Sequence, residues 1–97
     1  MAWIKTVSPS DSDDVREAML SQRALYPAAY AGSPESRERL PAAVVSESIV
    51  SSHSLLPQAL KHAFSNLGVL LDPNLPLSRR EHELIAATVS SINSCFY

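Results

Sequence analysis

The sequence predicts an all-α fold, and three features of its composition indicate this class. Only two of the 97 residues are glycine, whereas alanine, leucine and serine are abundant. Seven prolines mark positions at which helices must begin or end. The apolar fraction of 45% is too high for a disordered chain. A chain of this length buries a modest core, so we expect residues 1–97 to form one small domain or part of one.

Charge and cysteine content exclude several classes of protein. The formal net charge is −2 and basic residues never form a run longer than two, which argues against a nucleic-acid partner. No apolar run approaches the roughly 20 residues that span a bilayer, and the first residues lack the order of a signal peptide. The single cysteine cannot form an internal disulfide, so we expect a reducing, cytoplasmic environment without a membrane partner.

The N-terminal part predicts an arm followed by a helix. Residues 1–9 are expected to form an extended arm in which Trp3 packs into the core or against a neighbouring subunit. Ser10 or Ser12 should cap the first helix, because acidic residues fill its first turn. This helix should run to about Leu25, and its narrow apolar stripe predicts a surface position.

The middle of the chain predicts an irregular segment followed by a helix. Residues 26–41 contain three prolines and a glycine, so we expect a short turn of helix at most. Tyr26 and Tyr30 in this segment could line a substrate entrance or pack internally. Apolar residues recur at helical spacing over residues 42–53, which predicts a helix of about three turns.

Residues 57–71 are the expected core helix. Pro57 suits the first turn, and a broad apolar face is formed by Leu60, Ala63, Phe64, Leu67, Leu70 and Leu71. The prolines of the following segment, residues 72–76, end this helix because proline lacks the amide donor and restrains the residue before it.

The final stretch, residues 77–97, predicts a capped amphipathic helix. Ser78 and Glu81 have the spacing of a capping box. At about 100° per residue, one face gathers Leu84, Ile85, Thr88, Val89 and Ile92. Glu83 falls on the opposite face among small side chains. This face either lies towards solvent or allows another helix to approach closely. In the second case the Glu83 carboxylate would be buried and suited to proton transfer near neutral pH.

Cys95 follows this helix closely. Asn93 and Ser94 precede it, and this pair can end one helix and cap another. At the start of a following helix the thiolate would be stabilised by backbone amides; otherwise a single cysteine is commonly a small buried hydrophobe. The helix from Glu83 to Asn93 is roughly 15 Å long, so Glu83 cannot touch Cys95 and a relay between them would be needed.

The sequence Leu-Ser-Arg-Arg-Glu-His-Glu-Leu-Ile-Ala-Ala-Thr-Val-Ser-Ser-Ile-Asn-Ser-Cys-Phe-Tyr of residues 77–97 resembles the core of the alkylhydroperoxidase D and carboxymuconolactone decarboxylase superfamily, especially its peroxidase-related branch. The opening Met-Ala-Trp-Ile-Lys-Thr-Val and residues 53–57 are similar to the same branch. The family motif is a glutamate, eleven intervening residues, a Cys-x-x-Cys and a later histidine. Glu83 and Cys95 match its first two positions, while the second cysteine and that histidine are not present in these residues.

The resemblance implies an alkylhydroperoxidase D-like helical domain, of which residues 1–97 are the N-terminal portion. We also expect an obligate homo-oligomer, because the apolar faces of a partial domain must be covered. It implies reduction of organic hydroperoxides by a cysteine pair that a dithiol partner reduces again. In the family the second cysteine attacks the peroxide, so Cys95 corresponds to the resolving cysteine and Glu83 to the residue that assists proton movement. These residues alone are expected to be incomplete for catalysis.

Two other functions stay open. One is lactone decarboxylation, as in the carboxymuconolactone branch, against which Cys95 in its motif position argues. The other is a non-catalytic helical module for oligomerisation. No metal or cofactor is expected, because the three histidines, His53, His62 and His82, lack the one-turn spacing of a helical metal site.

Overall fold

The structure is a computed structural model that describes residues 3–45 and 48–95. It is all-α, as predicted, and within the described ranges it contains helices and no strand. The helices, in chain order, are α1 (Asp13–Arg23), α2 (Ala28–Ala31), α3 (Pro34–Arg37), α4 (Ala42–Val45), a 3₁₀ turn (Ser51–His53), α5 (Pro57–Leu70) and α6 (Arg79–Ile92). In this part of the chain, no helix has both the length and the apolar character needed to cross a membrane.

Helix α1 begins where its acidic first turn indicates. The Ser12 side chain accepts a hydrogen bond from the Val15 amide, and Asp13 and Asp14 occupy the first turn. Of the two predicted candidates, Ser10 and Ser12, it is therefore Ser12 that caps the helix. The helix ends at Arg23, close to the predicted end.

Helices α1 and α5 pack on each other and form the core. Its buried side chains are Val15, Ala18, Met19, Leu60 and Phe64. The prediction that α5 is the core helix is confirmed. The prediction that α1 lies on the surface is wrong, because Ala18 and Gln22 complete its buried face beside Val15 and Met19. A small residue and a polar residue at these positions made the stripe look narrower than it is.

The apolar face of α5 is covered only in part. Its buried residues are Leu60, Phe64 and Gly68. A Cβ atom at Gly68 would lie 3.0 Å from the Leu25 Cβ, so this glycine permits the chain after α1 to approach α5 closely. Leu67 and Leu70 stay exposed, since the single helix α1 covers one stripe of α5.

The segment predicted as one helix over residues 42–53 is instead α4 and the 3₁₀ turn, with residues 46–47 outside the described ranges. The Ser48 amide donates to the Ser51 Oγ and the Ser51 amide donates to the Ser48 Oγ, both at 3.1 Å. Such serine bonds satisfy the backbone in place of a helical ladder. The expectation of an irregular segment over residues 26–41 also needs correction, because it contains both α2 and α3.

The N-terminal arm touches the core through Val7 rather than Trp3. The Val7 amide donates to the Ser54 Oγ at 2.7 Å, and its side chain packs against the core. Trp3 is fully exposed, so the expectation that it anchors in the chain's own core is wrong. Its alternative, packing against a neighbouring subunit, stays a prediction. Residues 1–2 of the arm lie outside the described residues.

Helix α6 begins with the predicted capping box. The Glu81 amide donates to the Ser78 Oγ at 3.3 Å, and the Ser78 amide donates to the Glu81 Oε2 at 2.8 Å. Every residue of α6 is exposed except His82, which is half-buried. Burial in the α1–α5 core therefore does not hold this helix in place.

Candidate functional site

Glu83 lies on the first turns of α6 and is open to solvent. The Arg79 Nε donates to the Glu83 Oε1 at 2.9 Å, and the two side chains are 60% and 53% exposed. Of the two environments that the sequence allowed for Glu83, the structure has the solvent-facing one. The hydrogen bond from Arg79 to Glu83, followed by the charge of that carboxylate, raises the pKa of Arg79 above its usual range.

Tyr30 of α2 completes a polar group with these two residues, which we name the Tyr30–Arg79–Glu83 cluster. The Tyr30 hydroxyl donates to the Glu83 Oε1 at 3.5 Å, and the Arg79 guanidinium lies 5.2 Å from the centre of the Tyr30 ring. The ion pair between Arg79 and Glu83 could be predicted from the sequence, because residues four apart on a helix are neighbours. Tyr30 is 53 residues from Glu83, and no local signal in the sequence links them.

The two tyrosines of the irregular segment have different environments. Tyr26 is half-buried, and its hydroxyl donates to the Phe64 carbonyl at 3.0 Å, which agrees with the packing alternative. Tyr30 instead borders a cavity of about 110 Å³ between α2 and the start of α6, next to Arg79 and His82. Ligand pockets usually measure about 300–1,000 Å³, so this cavity is small for an organic substrate.

Cys95 is held just beyond α6 by a left-handed C-terminal cap. Ser94 has a φ of 51°, the Ser94 amide donates to the Ser91 carbonyl at 3.1 Å, and the Cys95 amide donates to the Ser90 carbonyl at 2.9 Å. The prediction that Asn93 and Ser94 end the helix is confirmed. Cys95 is a free, exposed cysteine, so the buried-hydrophobe alternative is wrong. Residues 96–97, where a following helix was considered, lie outside the described residues.

The structure does not bring Glu83 and Cys95 together. Glu83 lies in the second turn of α6 and Cys95 lies beyond its end, and the nine residues from Glu83 to Ile92 alone rise roughly 14 Å at about 1.5 Å each. Any reaction that uses both side chains therefore needs a group between them, as the sequence indicated. His82 is not that group, because it lies beside Glu83 at the start of α6, far from Cys95.

The His53 ring makes its contacts with α5 and with the segment before the 3₁₀ turn. The His53 ring packs edge-on against Phe64, with 5.2 Å between the ring centres, and its Nδ1 lies 2.6 Å from the Ile49 carbonyl oxygen. Within residues 3–45 and 48–95, the histidine, cysteine, aspartate and glutamate side chains form no group of three or more that could hold a metal ion.

Comparison of the chain with family models, curated proteins and solved structures gave no match.

Proposed function

We propose that this chain contributes to a thiol-dependent peroxidase that reduces organic hydroperoxides, with Cys95 as a redox cysteine. The observation that carries the proposal is the free, exposed thiol of Cys95, which the backbone cap holds at the end of α6. An exposed thiol is accessible to peroxide-derived intermediates and to a reductant, whereas a buried one is inert. The resemblance of residues 77–97 to the alkylhydroperoxidase D motif supports the same chemistry.

The proposed reaction needs two thiols. A thiolate attacks the terminal oxygen of ROOH, the O–O bond breaks, and the alkoxide takes up a proton to leave as ROH, so the attacking sulfur becomes a sulfenic acid. The Cys95 thiolate then attacks this sulfur, a disulfide forms, and hydroxide leaves as water after protonation. A dithiol partner reduces the disulfide. By the resemblance, Cys95 has the resolving role and the attacking thiol belongs to a second cysteine.

Glu83 has a proton-handling role in this proposal. Because more than two turns of α6 separate it from Cys95, it acts through an intervening group, and the resemblance assigns this role to a histidine after the cysteine pair. The Tyr30–Arg79–Glu83 cluster supports the proposal by fixing the Glu83 carboxylate at the start of α6. The single cysteine fits a cytoplasmic location, where dithiol reductants are available.

The peroxidase proposal is tested with a chain that continues beyond Tyr97 to include the second cysteine and the histidine of the motif. We expect it to consume an organic hydroperoxide in the presence of a dithiol, and we expect Cys95→Ser or Glu83→Gln to lower turnover by about 100-fold, the usual range for acid–base groups. Ser91→Ala, at an exposed position of α6, is the matched control, since it keeps both reacting side chains and the residues of the cap that follow the helix. Undiminished turnover in both variants would contradict the proposal.

The 97-residue chain itself is expected to show no catalytic turnover, because it contains one cysteine. Because Cys95 has the resolving role and not the attacking one, one equivalent of hydroperoxide should leave its thiol reduced, as measured by intact mass. Sustained turnover of hydroperoxide by this chain would refute the assignment of the attacking role to a second cysteine.

A second candidate function is a non-catalytic helical module for homo-oligomerisation. The observation that favours it is the exposure of the apolar residues of α6, in particular Leu84 and Ile92, which are 56% and 77% exposed. This function requires neither Cys95 nor Glu83. If Cys95→Ser leaves both the molecular mass and the hydroperoxide turnover unchanged, this function is favoured over the peroxidase proposal.

A further inference from the structure

Helix α6 directs its apolar side away from the rest of the molecule. Its contact with α2 is made by Arg79 and Glu83, which pack against Tyr30. At about 100° per residue, these two side chains lie on the side of the helix opposite its apolar residues. A globular protein normally turns the apolar side of a helix inward. We name the outward surface the α6 apolar face; it consists of Leu84, Ile85, Thr88, Val89 and Ile92.

The α6 apolar face is large for a surface that stays in water. Its four large apolar side chains are each 51% to 77% exposed. They form a patch on the order of 400 Å², which is comparable to the largest apolar patch of a typical monomer, and such patches commonly mark interaction sites. The face therefore has the size of a contact for one partner helix.

We propose that the α6 apolar face binds the same face of a second copy of this chain, with the two helices antiparallel. This inference deepens the oligomerisation candidate, rests on it, and is independent of the peroxidase chemistry. Four of the five positions of this face are symmetric about a point between Thr88 and Val89, and Leu84 falls opposite Asn93 at the edge. A two-fold axis at that point sets Ile85 against Ile92 of the second copy and Thr88 against its Val89, so the face complements itself.

The charges of α6 favour this orientation. They are confined to residues 79–83, and residues 84–94 carry none. The last turn of α6 contains no basic residue. Antiparallel packing sets the amino end of each helix dipole beside the carbonyl end of the other, where opposite partial charges attract. Parallel packing would instead align like ends of the two dipoles.

The area sets the expected strength of the interaction. Two such faces bury on the order of 800 Å² in total, below the roughly 1,200 Å² at which stable complexes begin. We therefore expect a dimer that dissociates on dilution.

Sedimentation equilibrium of the 97-residue chain tests the interface. We expect a dimer at about 1 mM that becomes a monomer near 10 µM, which corresponds to a weak dissociation constant. Val89→Glu should abolish the dimer. Ser90→Glu should retain it, because the neighbouring residue adds the same charge to the same turn on the opposite face. Equal far-UV circular dichroism of the two variants shows that α6 persists in both. A monomer at every concentration, or equal association of the two variants, would overturn the proposal.

Disulfide crosslinking in a Cys95→Ser background tests the orientation. A mixture of Ile85→Cys and Ile92→Cys chains should crosslink as heterodimers, and neither variant should crosslink alone. In the antiparallel pair, like positions are separated by about 10 Å along the helix axis, beyond the roughly 7 Å limit between the Cα atoms of a disulfide. Crosslinking of each variant with itself would show a parallel pair and overturn the proposed geometry, while leaving the peroxidase proposal unaffected.

Discussion

At the scale of single residues, the Tyr26 hydroxyl has the clearest pH dependence. Its donation to the Phe64 carbonyl at 3.0 Å ties the segment after α1 to α5. Burial raises the pKa of Tyr26 above its usual value, and the nearby charge of Arg23 lowers it by a smaller amount. The fold therefore stabilises the neutral phenol, because only this form both tolerates burial and donates the hydrogen bond.

We predict that the chain loses stability at high pH through Tyr26. The neutral phenol adds to the free energy of unfolding. This contribution is fully present below the pKa that Tyr26 has in the unfolded chain, about 10, and it is lost as pH rises through the higher pKa of Tyr26 in the folded chain. The urea concentration at the midpoint of unfolding should therefore decrease as pH rises from about 9 to about 11. Tyr26→Phe should flatten this fall, and Tyr30→Phe, at an exposed position, should keep it. An unchanged pH profile in Tyr26→Phe would be inconsistent with this account.

Gln22 is a polar residue in the core, with 2% of its surface exposed. Its Nε2 donates to the Met19 carbonyl at 3.0 Å, whereas its Oε1 has no hydrogen-bond partner among the described residues. A buried acceptor without a partner costs about 1–3 kcal/mol. The Met19 carbonyl also belongs to the hydrogen-bond ladder of α1, so it keeps a partner if Nε2 is removed.

We predict that Gln22→Met stabilises the chain by about 1 kcal/mol, because it removes the unpaired acceptor and keeps a similar side-chain length. A higher midpoint of urea unfolding with an unchanged slope would show the gain. Glu17→Met, at an exposed position of the same helix, should change the midpoint little. A loss of stability in Gln22→Met would mean that the amide makes a favourable interaction in the core.

At the scale of helices, the same substitution in α5 and α6 should have very different effects. Leu60 is 0% exposed between α5 and α1, and Leu84 is 56% exposed on α6. Leu60→Ala should lower the free energy of unfolding by about 2–5 kcal/mol, since it removes buried methyl groups and leaves a cavity. At a dilution where the chain is monomeric, Leu84→Ala should change it by less than about 0.5 kcal/mol. Equal losses, measured by urea unfolding, would show that α6 packs on the core.

The boundaries of the longer helices were predictable because their signals are local. Ser12 and the acidic residues after it start α1, Pro57 lies in the first turn of α5, and the Ser78–Glu81 box starts α6. The apolar pattern of residues 42–53 wrongly predicted one continuous helix. Serine side chains there form hydrogen bonds with nearby backbone amides, and these bonds replace those of a helix.

At the scale of the whole molecule, the chain is more open than a closed domain of its length. Its radius of gyration is 13.9 Å, against about 12.5 Å for a compact domain of this size. The exposed helix α6 lies outside the buried core, which α1 and α5 form. The same openness leaves the α6 apolar face available to a second copy.

The candidate site was predictable only in part. The sequence by itself identified Glu83 and Cys95, the cap that ends α6 between them, and their separation along one helix, because helix geometry converts sequence spacing into distance. It could not give the environment of either side chain. The exposure of both residues and the approach of Tyr30 to Glu83 depend on contacts between segments far apart in the chain.

The all-α class and the start of each long helix were determined by the sequence, because propensity, caps and proline act over a few neighbouring residues. Which faces are buried was decided by the tertiary structure. Ala18 and Gln22 place α1 in the core, although neither adds to its apolar stripe. The stronger apolar stripe of α6 stays outside, because the contacts of α6 with α2 are made by Arg79 and Glu83 on the opposite side of the helix.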